Sequence, residues 1–335
     1  MILNNKFAIG CLVQWYEVEI VEEYLHSLRN SIENIENKEN IIVDLFFNMT
    51  TSLEDIDTEQ YAMSDIGARF KKIEEDLLSF GVNLHTKTLG GVMLHERDEI
   101  YTIADYRREF NDKYCTQVDV LMWGETDALL PKQTFEILDN IHTQVKDKTP
   151  KYVSFFGTCK MWDESWKVVE HTDFTDKPFI PNDYDNWWSL KYTMSIDEMN
   201  KINEKVNELD VRVLNQFKFN GCGLVISSEV VKAGVNIPRS VFFVHEDTAF
   251  QNMMIRLFGN TVPQYLIKNI LLVHNRNHPK KRMYVKGERK DGTMNDKRRS
   301  NEWYVNGNKM SEYNTHNIFN QSKTYSWKDV WEKSK

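Results

Sequence analysis

The chain has 335 residues, 41% of them hydrophobic and 12% aromatic, and a formal net charge of -8 at pH 7. That composition supports a sizeable buried core and excludes both an intrinsically disordered chain and a uniformly cationic nucleic-acid coat. The cysteines Cys11, Cys115, Cys159 and Cys222 form no Cys-x-x-Cys pair, the N-terminus lacks a basic stretch followed by an apolar one, and no apolar run approaches the roughly 18 to 20 residues of a membrane span, so a cytoplasmic protein with reduced thiols is expected.

Phe7 to Val13 is a short, nearly continuous apolar run, as expected of a strand buried on both faces. Ile20, Val21, Tyr24, Leu25, Leu28 and Ile32 then recur at helical spacing within Val18 to Ile35, and Ile41 to Phe47 reads as a second buried strand. Alternation continues with a helix over Ser64 to Phe80, a strand over Val82 to Leu89, a helix over Ile103 to Lys113 and a strand over Val118 to Trp123. Further on, helices are predicted at Lys132 to Thr143, Ser195 to Leu209 and Asp247 to Phe258, strands at Tyr152 to Phe156 and Ile267 to Val273, and a strand-turn-strand at Phe217 to Ser227. Such alternation predicts an α/β fold, a mostly parallel central sheet flanked by helices, with ligands bound beyond the carboxyl ends of the strands. The predicted boundary lies near His274, separating residues 1-274, with halves of about 1-130 and 131-274, from a basic extension over 275-335.

The strand ending at Trp123 runs into Gly124-Glu125-Thr126-Asp127 and an apolar turn closed by Pro131. Two acids at i and i+2 beyond a buried strand can hold a hard divalent cation, Mn2+ or Mg2+, that recruits a substrate phosphate. The same residues also suit a helix cap, with Thr126 or Asp127 capping and Glu125 solvated.

This segment resembles the Asp-x-Asp region of family 2 glycosyltransferases, with Glu125 in place of the first acid. Val13-Gln14-Trp15-Tyr16-Glu17-Val18-Glu19, followed by Tyr24-Leu25-His26-Ser27-Leu28, resembles the opening strand, turn and first helix of that family. The resemblance implies a GT-A (Rossmann-like) fold, with Gln14, Tyr16, Glu17, Asn48 and Arg108 toward the donor; Asn48 stands where the family often carries a nucleobase-binding aspartate. Arg107, Arg108 and Asn111 loosely match an Arg-Asn element of the family, at a different spacing, and a solvated helix face accounts for them about as well.

Phe219 to Ser227, with Gly221 and Gly223, resembles the glycine-containing strand beside the sugar in GT-A enzymes; a hairpin bend accounts for the glycines equally well. His245-Glu246-Asp247 opens a helix, as the Glu-Asp pair does in the family. There the aspartate is the usual base of inverting members, so the resemblance makes Asp247 the base and Glu246 a group that orients the site. An ordinary helix cap is the alternative. The resemblance also makes His274 a further metal ligand, with His278 behind it, against the simpler reading of a surface or packed histidine.

From Arg276 to Arg299 there are ten Lys or Arg residues against three acids, a local balance of +7 that leaves -15 for the remainder. Lys281 and Arg282 in this segment can close over a diphosphate, the segment can meet an anionic acceptor such as DNA, or it is a solvated loop. Some phage and base-J-pathway glycosyltransferases of this broad type modify hydroxymethylated DNA bases, so either a glycan or DNA is an expected acceptor, and a viral member would work in the host cytoplasm. Trp162, Trp166, Tyr184, Trp187 and Trp188 suit stacking on an acceptor or a place in the core. The function implied is metal-dependent, inverting transfer from a nucleotide sugar, a UDP-sugar being favoured. Two alternatives stand beside it, a nucleotidyltransferase, for which Gln14 to Glu17 offers no glycine-rich phosphate loop, and a non-catalytic carbohydrate- or nucleic-acid-binding module.

Overall fold

A computed structural model of the protein describes residues 1-14, 17, 20-52, 63-80, 83-93, 100-157, 194-214, 221-274, 302-320 and 323-334. The opening alternation comprises β1 (Phe7–Gln14), α1 (Val21–Ile32), β2 (Ile41–Ser52), α2 (Met63–Ser79), β3 (Asn83–Met93), α3 (Ile103–Tyr114) and β4 (Val120–Trp123). There follow β5 (Ala128–Leu129), α4 (Thr134–Val145), β6 (Val153–Gly157), α5 (Ile196–Asn203), β7 (Val211–Leu214), β8 (Val225–Ser227) and α6 (Ser228–Lys232). The last elements are α7 (Glu246–Phe258), β9 (Gln264–Leu271), β10 (Val273–His274), α8 (Glu302–Asn317) and α9 (Trp327–Lys333).

Eight strands form one sheet in the order β3-β2-β1-β4-β8-β6-β9-β7. The pairs β1·β2, β1·β4, β2·β3 and β6·β9 are parallel, β8 runs antiparallel to β4 and β6, and β7 runs antiparallel to β9. The predicted α/β class, a mostly parallel sheet between helices, is therefore the observed one. Side chains on a strand alternate between faces, and β1 shows it. Ala8 and Leu12 join a core with Tyr106 and Phe110 of α3, whereas Ile9, Cys11 and Val13 join a second core with Tyr24, Leu25 and Leu28 of α1. Each such buried leucine or isoleucine contributes roughly 1.5–3 kcal/mol.

Three departures from the sequence pattern position the site. The predicted helix over Ser195 to Leu209 stops at Asn203, whose side chain bonds both the carbonyl and the amide of Leu271, and the chain then adds the edge strand β7. The single strand predicted over Ile267 to Val273 is broken at Leu272, whose amide donates to Gly157. Beyond the break, Val273 and His274 leave the main sheet and pair antiparallel with Leu129 and Ala128.

The third departure is the helix pair α8 and α9. Phe242, Phe243, Met310, Trp327, Val330 and Trp331 form a third core there. Ser311 Oγ of α8 donates to the carbonyl of Val244 at 2.7 Å, and Asn314 Nδ2 donates to that of Ser240 at 2.6 Å. The stretch leading into Glu246 and Asp247 is therefore held from the C-terminal side. Ser311→Ala is expected to cost about 1 kcal/mol, since it leaves a partly buried carbonyl without its donor; urea unfolding measures it. No helix among the described residues is long and apolar enough to cross a membrane.

Candidate metal and carboxylate site

The acidic pair lies immediately beyond β4, at the carboxyl edge of the parallel strands. The amide of Gly124 donates to the carbonyl of Gly10 at 2.7 Å, which ties the turn to β1. Glu125 is half-buried and Asp127 buried. The β5·β10 pairing brings His274 across to them: its Nε2 lies 3.2 Å from Glu125 Oε2 and 3.4 Å from Asp127 Oδ1. All three residues expected to hold a metal are thus together.

A third strand-end segment borders this turn. Trp123 donates to the carbonyl of Leu224 at 2.8 Å and accepts from the amide of Gly223 at 3.1 Å, which lays Gly221 to Leu224 alongside the end of β4. Gly223 has φ +66, a left-handed conformation open to glycine at little cost. Gly221 is required for a different reason. A Cβ there would collide with the guanidinium of Arg107.

Arg107, on α3, is the hub that joins the two acidic motifs. It is 2% exposed. Its Nη1 pairs with Glu246, while its Nη2 donates to Glu125 Oε1 at 2.7 Å and to the Gly221 carbonyl at 2.9 Å. Its cationic carbon lies 4.7 Å from the centroid of the Trp123 ring, and Trp123 Nε1 is fixed by Asn111 Oδ1 at 2.9 Å.

One arginine serves three nearby carboxylates, and their environments divide them. Burial pushes the Glu246 carboxyl up to about 7, against the pull of Arg107 and with further upward pressure from Asp247. Burial acts the same way on Glu125, but the His274 hydrogen bond and Arg107 outweigh it and hold that carboxyl at about 2. Asp247 is half-buried and differently held: Oδ2 accepts the Gly221 amide at 3.1 Å and Oδ1 accepts the Thr248 amide at 2.7 Å.

His245, just before this pair, has φ 69, where an ordinary side chain costs roughly 1–2 kcal/mol. Such strain at the head of a helix aims the two acids that follow. His245→Gly is expected to relieve part of that cost, whereas β-branched His245→Val is expected to add to it; chemical denaturation of the two variants separates the effects.

The expected donor residues divide. Gln14, Glu17 and Asn48 meet at the end of β1, where Asn48 of β2 lies opposite Gln14: Asn48 Nδ2 donates to Gln14 Oε1 at 3.0 Å, and Glu17 Oε2 accepts the Gln14 amide at 3.1 Å. Arg108 does not join them. It faces away, donating to the carbonyls of Ile237, Pro238 and Val241 and pairing with Asp105, so adjacent Arg107 is the arginine that reaches the acids. Tyr16, Trp187, Trp188, Lys281 and Arg282, with Trp162, Trp166, Tyr184 and His278, lie outside the described residues.

The donor set fits a divalent cation. Both carboxylates lie within 3.4 Å of the same imidazole nitrogen, and an imidazole with two carboxylates is a borderline-to-hard set of the kind that binds such ions. A thiol that the sequence pattern does not single out lies beside these side chains. Ligand atoms of Glu125, Cys222 and His274 all lie within 4.8 Å of one another.

No family model matches the chain, and no curated protein matches it. Among solved structures it is similar to glucosyl-3-phosphoglycerate synthase from Mycobacterium tuberculosis, in complex with Mg2+ and uridine diphosphate, at 10% identity and TM-score 0.37, covering 84% of this chain and 78% of that one. A second similar structure is 4-diphosphocytidyl-2C-methyl-D-erythritol synthase from Anaerococcus prevotii, at 11% identity and TM-score 0.36, covering 81% of this chain and 88% of that one. Superpositions this loose assign no activity to the chain.

Proposed function

We propose that the protein is a metal-dependent GT-A glycosyltransferase that moves a sugar from a nucleotide sugar, a UDP-sugar being favoured, to an acceptor hydroxyl with inversion. The observation that carries this reading is the meeting of Glu125, Asp127 and His274 at the sheet's carboxyl edge, with Arg107 bridging Glu125 to Glu246, the neighbour of Asp247. When bound there, Mn2+ or Mg2+ would neutralise charge developing on the diphosphate leaving group.

The chain's own residues have separate tasks in this reading. Glu125, Asp127 and His274 hold the cation. Gln14, Glu17 and Asn48 face the donor nucleoside, joined on sequence grounds by Tyr16, Lys281 and Arg282. Gly221 and Gly223 border the sugar, and Trp187 and Trp188 are assigned to the acceptor on sequence grounds. Asp247 takes the acceptor proton as the hydroxyl attacks the anomeric carbon and the donor diphosphate departs, a single displacement. Arg107 and Glu246 keep Asp247 in register with the cation site.

A thermal-shift screen of UDP-, GDP- and CMP-sugars with and without Mn2+ tests the reading, because a ligand that binds only the folded form raises its melting temperature. A metal-dependent rise with one nucleotide sugar, lost in Asp127→Ala, is expected. No rise with any of them, or a rise that survives Asp127→Ala, overturns it. Product analysis distinguishes the main rival: nucleoside diphosphate release marks glycosyl transfer, and pyrophosphate release marks nucleotidyl transfer. Paired incubations with a glycan and with hydroxymethylated DNA address the acceptor.

A further inference from the structure

Cys222 lies where neither the fold nor the carboxylate reading requires a thiol. It is 3% exposed and flanked by two backbone devices. On one side Gly221 is fixed through both its polar groups, its carbonyl accepting from Arg107 and its amide donating to Asp247. On the other, Gly223 turns through φ +66 and donates to Trp123. With both neighbours pinned, the Cα–Cβ direction of Cys222 is set by the backbone, and one rotamer then places the sulfur. That placement brings Sγ within 4.8 Å of a Glu125 carboxylate oxygen and of a His274 ring nitrogen.

Bonds of roughly 2.0–2.3 Å to a common tetrahedral ion place neighbouring donors about 3.3–3.8 Å apart, so donors within 4.8 Å of one another need to close by no more than about 1.5 Å around the ion. Sulfur changes what such a site selects. Carboxylates and water suit Mg2+, whereas thiolate and imidazole favour Zn2+ and other thiophilic ions. We propose that Cys222 is a sulfur ligand of the cation site, so that the site, with Glu125 and His274, takes a thiophilic divalent ion of the zinc class in preference to Mg2+. On binding, the thiol proton passes to solvent and the thiolate donates an electron pair to the ion; no redox partner is involved. The inference rests on the proposed role of Glu125 and His274 as cation ligands, and it concerns the ion rather than the sugar.

The full-length protein, kept reduced with a phosphine, is titrated with Co2+ or Cd2+ and followed by ultraviolet and visible absorption. The wild type is expected to develop a sulfur-to-metal charge-transfer band at one equivalent. Cys222→Ser is expected to lose the band and to bind Zn2+ roughly tenfold or more weakly, at least the loss seen on removing a supporting outer-shell group, with little change in Mn2+ binding. A second measurement needs no variant: in urea just below the unfolding transition, where the buried thiol opens to reagent, Zn2+ protects Cys222 of the wild type from alkylation by iodoacetamide more than it protects buried Cys115, mapped by mass spectrometry, and Mg2+ does not. A wild type without the band, a band that persists in Cys222→Ser, or alkylation of Cys222 unaffected by Zn2+ overturns the inference. A missing band alongside metal-dependent nucleotide-sugar binding removes this inference alone. A Cys222-dependent band in a protein that no nucleotide sugar stabilises removes the glycosyltransferase reading alone.

Discussion

Arg107→Met is expected to lower the unfolding free energy by about 3–5 kcal/mol near neutral pH, as removal of one partner from a buried ion pair does. Methionine fills comparable space against Trp123, so the loss reports charge more than shape. In the native protein the guanidinium lies between Glu246 and Glu125 and donates to the Gly221 carbonyl. Without it, Glu246 is a buried carboxylate beside Asp247 with no cation in contact among the described residues. The pH dependence has a definite sign. Burial already raises Glu246 from its ordinary 4.5 to about 7, so the folded state holds that proton more tightly than the unfolded chain does. The stability this contributes is complete below about pH 4.5 and is lost as pH rises through about 7. Removing Arg107 raises that carboxyl further, so the deficit of Arg107→Met should be smaller at pH 5 than at pH 8. Adding Glu246→Gln should recover part of the loss at pH 8 and little at pH 5. Urea unfolding at the two pH values measures all of this; a loss under about 1 kcal/mol at pH 8 would show that Arg107 does not hold the carboxylates.

The elements that the sequence exposes are those whose burial is apolar and periodic. β1, α1, β2 and α3 fall where Phe7 to Val13, the Ile20-to-Ile32 series, Ile41 to Phe47 and Ile103 to Lys113 predict them. α8 was invisible for the converse reason. Its buried stripe is Asn306, Gly307, Met310, Ser311, Asn314 and Thr315, and it packs through side-chain to backbone hydrogen bonds as well as apolar contact. Hydrophobic spacing carries no trace of such a face.

The site divides along the same line. Glu125, Asp127 and Asp247 could be singled out because each follows an apolar strand or opens a helix. The choice of Arg107 over Arg108 could not: adjacent helix positions point about 100° apart, and only the packed sheet decides which one enters the interior. Cys222 cannot be singled out either, because a lone thiol without a Cys-x-x-Cys partner carries no metal signature along the chain. Its companions Glu125 and His274 are brought to it by the segment beside β4 and by the break at Leu272.

Asp247→Asn is expected to slow sugar transfer by about 10²- to 10⁴-fold, the usual share of a positioned general base, while leaving metal-dependent stabilisation by the nucleotide sugar intact. Asparagine is nearly isosteric, and its carbonyl oxygen can still accept the Gly221 amide that Asp247 Oδ2 accepts at 3.1 Å. What it cannot do is take a proton from an acceptor hydroxyl. Glu246 is the obvious competitor for the role, because a carboxyl near 7 is well matched to base catalysis at neutral pH. Geometry argues against it: Glu246 is 8% exposed and committed to Arg107, whereas Asp247 is half-buried at the edge of the Gly221 segment. Glu246→Gln keeps the shape and a hydrogen-bond acceptor for Arg107, so it should slow transfer far less than Asp247→Asn. Transfer rates at saturating donor, measured for both variants, decide between the two carboxylates. A larger loss in Glu246→Gln would hand the proton to Glu246 and make Arg107 the group that tunes it, and a rate in Asp247→Asn within about threefold of wild type would leave Asp247 as a helix cap and nothing more.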